Sequence, residues 1–198
     1  DNVLVAYESV HRIKRKKGNH GLCAVKLDMH KAYDHVEWCF LEGIMLRMGF
    51  DVRWVELMMA CVKSVTYSVR FNSQITERFI PSRGLRQGDP LSPYLFLLVA
   101  EGLSALLSDA EERGATEGVK VCRDAPSVSH LLFADDSLIL MKADVANANT
   151  LKGILQSYCN ASGQMVSEAK CNIYFSPNTS VDKRVEVCTT LNILVEAL

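Results

Sequence analysis

The 198-residue sequence contains no Cys-x-x-Cys pair and no His-x-x-x-His spacing, and its seven cysteines (Cys23, Cys39, Cys61, Cys122, Cys159, Cys171, Cys188) are scattered and odd in number. Neither a zinc site nor a disulfide framework is readable from that pattern, so the thiols read as reduced and mostly buried in the core. Also missing is any apolar run near the roughly 18–20 residues of a membrane span, and no charged-then-apolar leader opens the chain. The expectation is a soluble protein of the cytoplasm or nucleus with no membrane partner. A net charge of −1 excludes little, because acidic and basic surfaces can sit apart on one fold. Repeats, low-complexity tracts and linkers are lacking too. With 48% hydrophobic residues, the chain can bury the core of one domain, or of one domain missing a piece. It starts at Asp1 without a Met and ends in the apolar "LNILVEAL", which suggests an excised piece of something longer.

What is present alternates between elements. Residues 2 to 17 read as a helix stopped by Gly18-Asn19 and carrying the one basic cluster, Arg12, Lys14, Arg15, Lys16 and Lys17. Such a cluster is either a solvated helix end or a phosphate contact. Leu22 to Leu27 reads as a short buried strand. A helix over about 35 to 48 stops at Gly49, and a second is capped by Asp51, with Val52, Val55, Met59 and Val62 on one face. Tyr67, Val69 and Phe71 alternate with polar residues as a strand, Asn72-Ser73 turns, and a partner strand runs to Ile80. Ser92-Pro93 starts a long helix with Leu95, Leu98, Val99, Gly102, Leu103 and Leu106 along one face. A helix from about 144 to 161, ended by Gly163, precedes a strand at Asn172 to Phe175 and a short helix near 181 to 188. The class is α+β.

The stretch "HLLFADDSLILMKA" sets Asp135 and Asp136 between the apolar runs Leu131-Leu132-Phe133 and Leu138-Ile139-Leu140-Met141. Two runs separated by "ADDS" read as a hairpin whose turn carries both acids. An exposed hairpin tip would explain an isolated pair. Two carboxylates about 4 Å apart, however, repel by about 1 kcal/mol in water and about 4 at an effective dielectric of 20, so beside buried strands they call for a cation. A hard divalent ion suits carboxylate oxygens best. Asp28 follows the strand in "CAVKLDMHKAYD", where a side chain emerges into a cleft or caps the next turn. If that strand pairs beside the hairpin, three carboxylates converge. Finally, "PSRGLRQGDPLSPYLFLL" combines Gly84 and Gly88, which permit close backbone approach, with Arg83, Arg86 and Gln87 ahead of a helix start.

Four strings in this order, "KLDMHKAYDHVEW", "GLRQGDPLSPYLF", "FADDSLIL" and "SGQMVSEAKCNIYFS", resemble successive motifs of the reverse transcriptase of non-LTR (LINE-type) retrotransposons, particularly plant ones. The resemblance covers nearly the whole chain. It implies a right-hand polymerase palm with part of the fingers, an antiparallel sheet packed on helices with the thumb missing, in one partial domain over 1–198. It implies RNA-directed DNA polymerase activity: transfer of a nucleotide from a dNTP to a DNA primer 3′-hydroxyl on an RNA template, with two Mg²⁺ ions that Mn²⁺ can replace. Residue by residue, Asp28, Asp135 and Asp136 match the metal-binding and catalytic acids, and Lys170 matches a lysine near the leaving pyrophosphate. Tyr33 matches the aromatic beneath the incoming sugar. Lys31, Ala32 and Tyr33, with Arg86, Gln87 and Gly88, would contact nucleotide or template.

The chain departs from the family at Ser73, where Gly is usual after Asn, and at Ser167, where Asn is common. The family's earlier finger motifs, primer grip, thumb, endonuclease and zinc knuckle are not represented. An inactive retroelement remnant and a maturase-like RNA-binding protein are the competing expectations.

Overall fold

The computed structural model describes residues 2–193. Helices α1 (Asn2–Lys14), α2 (Trp38–Arg47), α3 (Val52–Lys63), α4 (Ser92–Glu112), α5 (Val145–Ser162) and α6 (Val181–Leu191) surround one principal sheet. Its strands are β1 (Leu22–Leu27), β6 (His130–Phe133), β7 (Asp136–Lys142) and β8 (Asn172–Phe175), in the order β6-β7-β1-β8 and antiparallel throughout. Two small hairpins, β2 (Arg70–Phe71) with β3 (Gln74–Ile75) and β4 (Val119–Lys120) with β5 (Ser127–Val128), stand outside it.

The central strand β1 is apolar on consecutive residues because both of its faces are covered. Cys23, Val25 and Leu27 face the larger core, together with Ile139, Met141, Ile173 and Phe175 of neighbouring strands and residues from α2 to α6. Leu22 and Ala24 face a second, smaller core with Leu140, Ile13 of α1 and Val119 of β4. At 21 residues α4 is long and apolar enough to cross a membrane by length and composition alone. Its Leu95, Phe96, Val99, Leu103 and Leu107 are nevertheless buried in the core, which accounts for its apolar face.

Most expected elements form within a few residues of where sequence placed them. Helix α1 stops at Lys14, short of Lys17, because the chain tightens there: Arg15 N–H still donates to His11 O, while Lys16 N–H donates to Ile13 O. Asp51 caps α3 by accepting from Arg53 N–H, and Gly163 closes α5 in the left-handed conformation. The Tyr67–Ile80 strand pair is reduced to two residues a side plus one bridge between Tyr67 and Phe79. Both of its strands are exposed, and a two-stranded ribbon has little to extend its ladder. Asn72 and Ser73 both take positive φ at its turn, so Ser73 adopts the backbone that glycine would favour. The β4–β5 hairpin was not expected from the sequence.

The cysteine reading needs correction. Only Cys23 and Cys171 are buried, Cys159 and Cys188 are half-buried, and Cys39, Cys61 and Cys122 are exposed; none of the seven is in a disulfide. The exposed three occupy polar positions of helices and a loop, where a cysteine need not pack. Of the apolar run at the C-terminus, Ile193 is buried, while residues 194–198 lie outside the described residues.

Candidate active site

Antiparallel pairing of β1 with β7 places the end of one strand beside the start of the other: Leu27 is opposite Ser137. Asp28 is the next residue after Leu27, and Asp135 and Asp136 are the two before Ser137. The register alone therefore brings these acids to one edge of the sheet. A second pairing fixes the Asp28 segment, since Met29 bridges Val166, Ser167 N–H donates to Asp28 O at 2.8 Å, and His30 N–H donates to Met165 O at 2.7 Å.

The acids then separate. Asp28 and Asp135 line a cleft of about 670 Å³ together with Lys31, Ala32, Tyr33, Gln87, Gly88 and Lys170, within the roughly 300–1,000 Å³ range of ligand sites. Asp136 does not line it. The hairpin turn consists of Ala134, at φ +52°, and Asp135, and Asp136 is already the first residue of β7. Its carboxylate lies 3.2 Å from Lys26 Nζ, on the side toward Asn2 and Phe133. The expectation that one turn carries both acids into one site is thus corrected: strand alternation turns neighbouring side chains to different sides. Arg86 is also outside the cleft and lines an adjoining pocket with Tyr67 and Asp34.

Within the cleft, Oδ1 of Asp28 is buried and has no hydrogen-bond partner. Lys170 Nζ stands 3.5 Å from it, close enough for attraction but outside hydrogen-bond geometry. A buried carboxylate oxygen left in this state favours a cation. Among the described residues no three His, Cys, Asp or Glu side chains converge on one ion. Two carboxylates facing an open cleft instead match how magnesium is held, by one or two carboxylates plus substrate phosphates and water. The donor set fits the ion.

Tyr33 stacks on Phe96 of α4 at 4.8 Å between centroids and 14° between planes, so its ring forms a fixed floor. Burial, with the Asp135 charge adding to it, holds the Tyr33 hydroxyl protonated above its ordinary range. Lys31 sits at φ +45°, and among the described residues the amides of Lys31, Ala32 and Tyr33 donate to no backbone carbonyl. Successive free amides around a left-handed residue form a concavity suited to anions.

The loop before α4 is strapped to this turn, because Leu85 N–H donates to Tyr33 O and Gly84 N–H donates to Val36 O, each at 2.8 Å. Gly84, at φ +88°, has the Asp34 carbonyl oxygen 2.8 Å from where a Cβ would be. Its close approach is therefore to the protein's own backbone and not, as the sequence suggested, to a ligand. Gly88 faces the cleft with nothing within 4 Å of a Cβ position. The Gln87 amide donates to Asp34 Oδ1 at 3.2 Å.

Sequence reasoning did not single out Asp34, Asp89, Phe96 or Cys171. Asp89 lines the cleft and accepts from Leu91 N–H at 2.8 Å; its position just before Pro90 and the helix start was the available signal. Cys171 lies behind Asp28, with its Sγ 3.5 Å from Asp28 N, and burial raises its thiol pKa. Nothing local in the sequence marks that contact.

Residues 2–190 match the family model described as reverse transcriptase (RNA-dependent DNA polymerase). A Pol polyprotein from an R2 retrotransposable element of Popillia japonica is 30% identical over 169 residues, 85% of this chain and 26% of that one. The transposon TX1 149 kDa protein of Xenopus laevis is 26% identical over 182 residues, 92% of this chain and 13% of that one. An uncharacterised mitochondrial protein of Arabidopsis thaliana is 60% identical over 57 residues, 29% of this chain and 47% of that one. The matched regions thus span less than half the length of each of these relatives. Among solved structures, telomerase from Candida albicans in complex with a fragment of telomeric RNA superposes with a TM-score of 0.63 at 13% identity, covering 90% of this chain and 31% of that one. Apo telomerase from Candida tropicalis, truncated from its C-terminal domain, gives 0.59 at 17% identity, covering 90% and 35%. At such identities the likeness concerns the fold, that of a polymerase palm with part of the fingers.

Proposed function

Since the chain belongs to the reverse transcriptase family, with retrotransposon Pol proteins among its relatives, we propose that it is the palm and partial fingers of an RNA-directed DNA polymerase of a non-LTR element. The reaction is nucleotide transfer from a dNTP to a DNA primer end on an RNA template. The observation that carries this reading is the presence of Asp28 and Asp135 in one cleft, brought together by the β1–β7 register.

Asp28 and Asp135 would hold divalent cations. When bound, magnesium, or manganese in its place, acidifies the primer hydroxyl and neutralises charge on the departing pyrophosphate. The free amides of Lys31, Ala32 and Tyr33 receive triphosphate oxygens and orient the α-phosphate toward the acids. The Tyr33 ring, fixed against Phe96, lies beneath the sugar and leaves no room for a 2′-hydroxyl. Gln87 and Gly88 border the nascent base pair. Lys170 balances Asp28 before cations arrive and afterwards can supply a proton to the leaving group. Asp136, paired with Lys26, ties the hairpin to β1 and so sets where Asp135 points.

The test is Mg²⁺-dependent primer extension on an RNA template, using a longer chain that carries its native flanking segments. Asp135→Asn should abolish extension and leave the thermal midpoint within about 2 °C, because it removes a ligand charge from an exposed turn at nearly constant volume. Extension at an undiminished rate would overturn the site. Residues 1–198 alone should extend poorly, since misplacing a primer end by about 1 Å costs about a hundredfold.

A further inference from the structure

Arg12, Lys14, Arg15, Lys16 and Lys17 occupy six consecutive positions broken only by Ile13, with no acid among them. Ile13 is fully buried and anchors the last turn of α1 in the smaller core, against Leu22, Ala24 and Leu140. The cations around it are consequently turned outward. Arg12, Lys14, Arg15 and Lys17 are exposed, and among the described residues none of the five forms an ion pair with an acid. Lys14 Nζ instead lies over the Tyr174 ring, 5.6 Å from its centroid. Beside them β4 is held in the same core by Val119 and exposes Lys120.

Stability does not call for such a group. One cation near a helix C-terminus satisfies the helix dipole, while five cations within six consecutive positions, with no acid among them, repel one another. An exposed group of cations without acid partners matches a polyanion. The cluster lies where α1 feeds the start of β1, whereas Asp28 follows the end of that strand. Six residues at about 3.3 Å each separate the two by about 20 Å, so the cluster is no part of the cleft.

We propose that the end of α1 and the following basic loop are a second RNA site, which grips the phosphate backbone about 20 Å from the reacting end and without regard to base sequence. The choice of RNA rests on the polymerase reading above: the template is the polymer that must extend away from the cleft on both sides of the primer end. Each cation contributes counterion release, so binding is strongly salt-dependent.

The experiment titrates the 198-residue chain into a fluorescent single-stranded RNA of about 20 nucleotides over a range of KCl concentrations, following anisotropy. The combined variant Arg12→Gln, Lys14→Gln, Arg15→Gln and Lys17→Gln should bind at least tenfold more weakly at low salt. Its slope of log affinity against log salt should be shallower by about 3, at about 0.7 per lost contact. Independently of any variant, Lys14, Lys16 and Lys17 of the unaltered chain should be protected from an amine-acetylating reagent when RNA is bound. An unchanged slope, unprotected lysines, no RNA binding by the unaltered chain, or tighter binding to phosphatidylserine vesicles or to duplex DNA of equal length would each overturn the proposal. Asp28→Asn and Asp135→Asn serve as the contrast and should leave the salt slope unchanged. If a longer chain with either exchange still extends primers, the polymerase site is wrong while the outcome for the basic surface is read separately.

Discussion

The Lys170 ammonium stands 3.5 Å from Oδ1 of Asp28, an oxygen that is buried and accepts no hydrogen bond. The lysine is mostly exposed, and its strand-end position comes from the short 3₁₀ turn Glu168–Lys170, which delivers it to the cleft just before β8. The pair is therefore loose. The lysine brings a positive charge to the carboxylate without hydrogen-bonding to it, which leaves Oδ1 open to the proposed cation.

Lys170→Met separates those two roles. Because the lysine is mostly exposed and makes no hydrogen bond to Asp28, its loss should change stability by less than about 1 kcal/mol in urea denaturation. Removal of the competing cation should tighten Mn²⁺ binding in a calorimetric titration, while extension by the longer chain slows by about a hundredfold if a proton donor is lost. Weaker Mn²⁺ binding would contradict the arrangement.

Sugar selection should depend on the Tyr33 ring. Tyr33→Ala in the longer chain should raise ribonucleotide incorporation relative to deoxyribonucleotide. It should also lower stability by at least the roughly 0.5–1.5 kcal/mol of the Phe96 stack. Tyr33→Phe should leave both within error. An unchanged incorporation ratio in the alanine variant would reduce Tyr33 to a packing residue.

A Cβ at position 84 would meet the Asp34 carbonyl at 2.8 Å in a backbone already at φ +88°. Gly84→Ala should accordingly cost about 1–3 kcal/mol. It should also loosen the strap between the loop and the Tyr33 turn, visible as faster amide exchange at Leu85. Wild-type stability and exchange would show that the contact is easily relieved.

His130 links β6 to α4, with Nε2 2.8 Å from Ser104 Oγ and Nδ1 3.1 Å from Ser129 Oγ. Burial depresses its pKa below 6.5, against the opposing pull of Glu111 and Glu101. As pH falls below about 6.5 the unfolded chain takes up this proton before the folded one does, so the stabilisation present above that pH is lost as pH drops toward the folded value. Chemical denaturation at pH 7.5 and 5.5 should show a smaller loss on acidification for His130→Gln than for the unaltered chain. Equal losses would place the acid sensitivity elsewhere.

The sequence by itself determined the elements and most of the chemistry on offer. The apolar start of β1 from Leu22 to Val25, the Asp51 cap of α3, the Ser92-Pro93 start of α4 and the apolar runs on either side of Asp135 and Asp136 are local, and local sterics and burial decide them. So is the motif order that carries the family. Tertiary structure decided how those residues meet. Only the β1–β7 register makes Asp28 a neighbour of Asp135, and only the pleat at the start of β7 turns Asp136 toward Lys26, because which side a side chain takes depends on where pairing begins. The stack of Tyr33 on Phe96 spans 63 residues of sequence, and Gly84 owes its constraint to the backbone of Asp34. Such contacts depend on chain segments brought together by packing, and no local pattern encodes the distance between them.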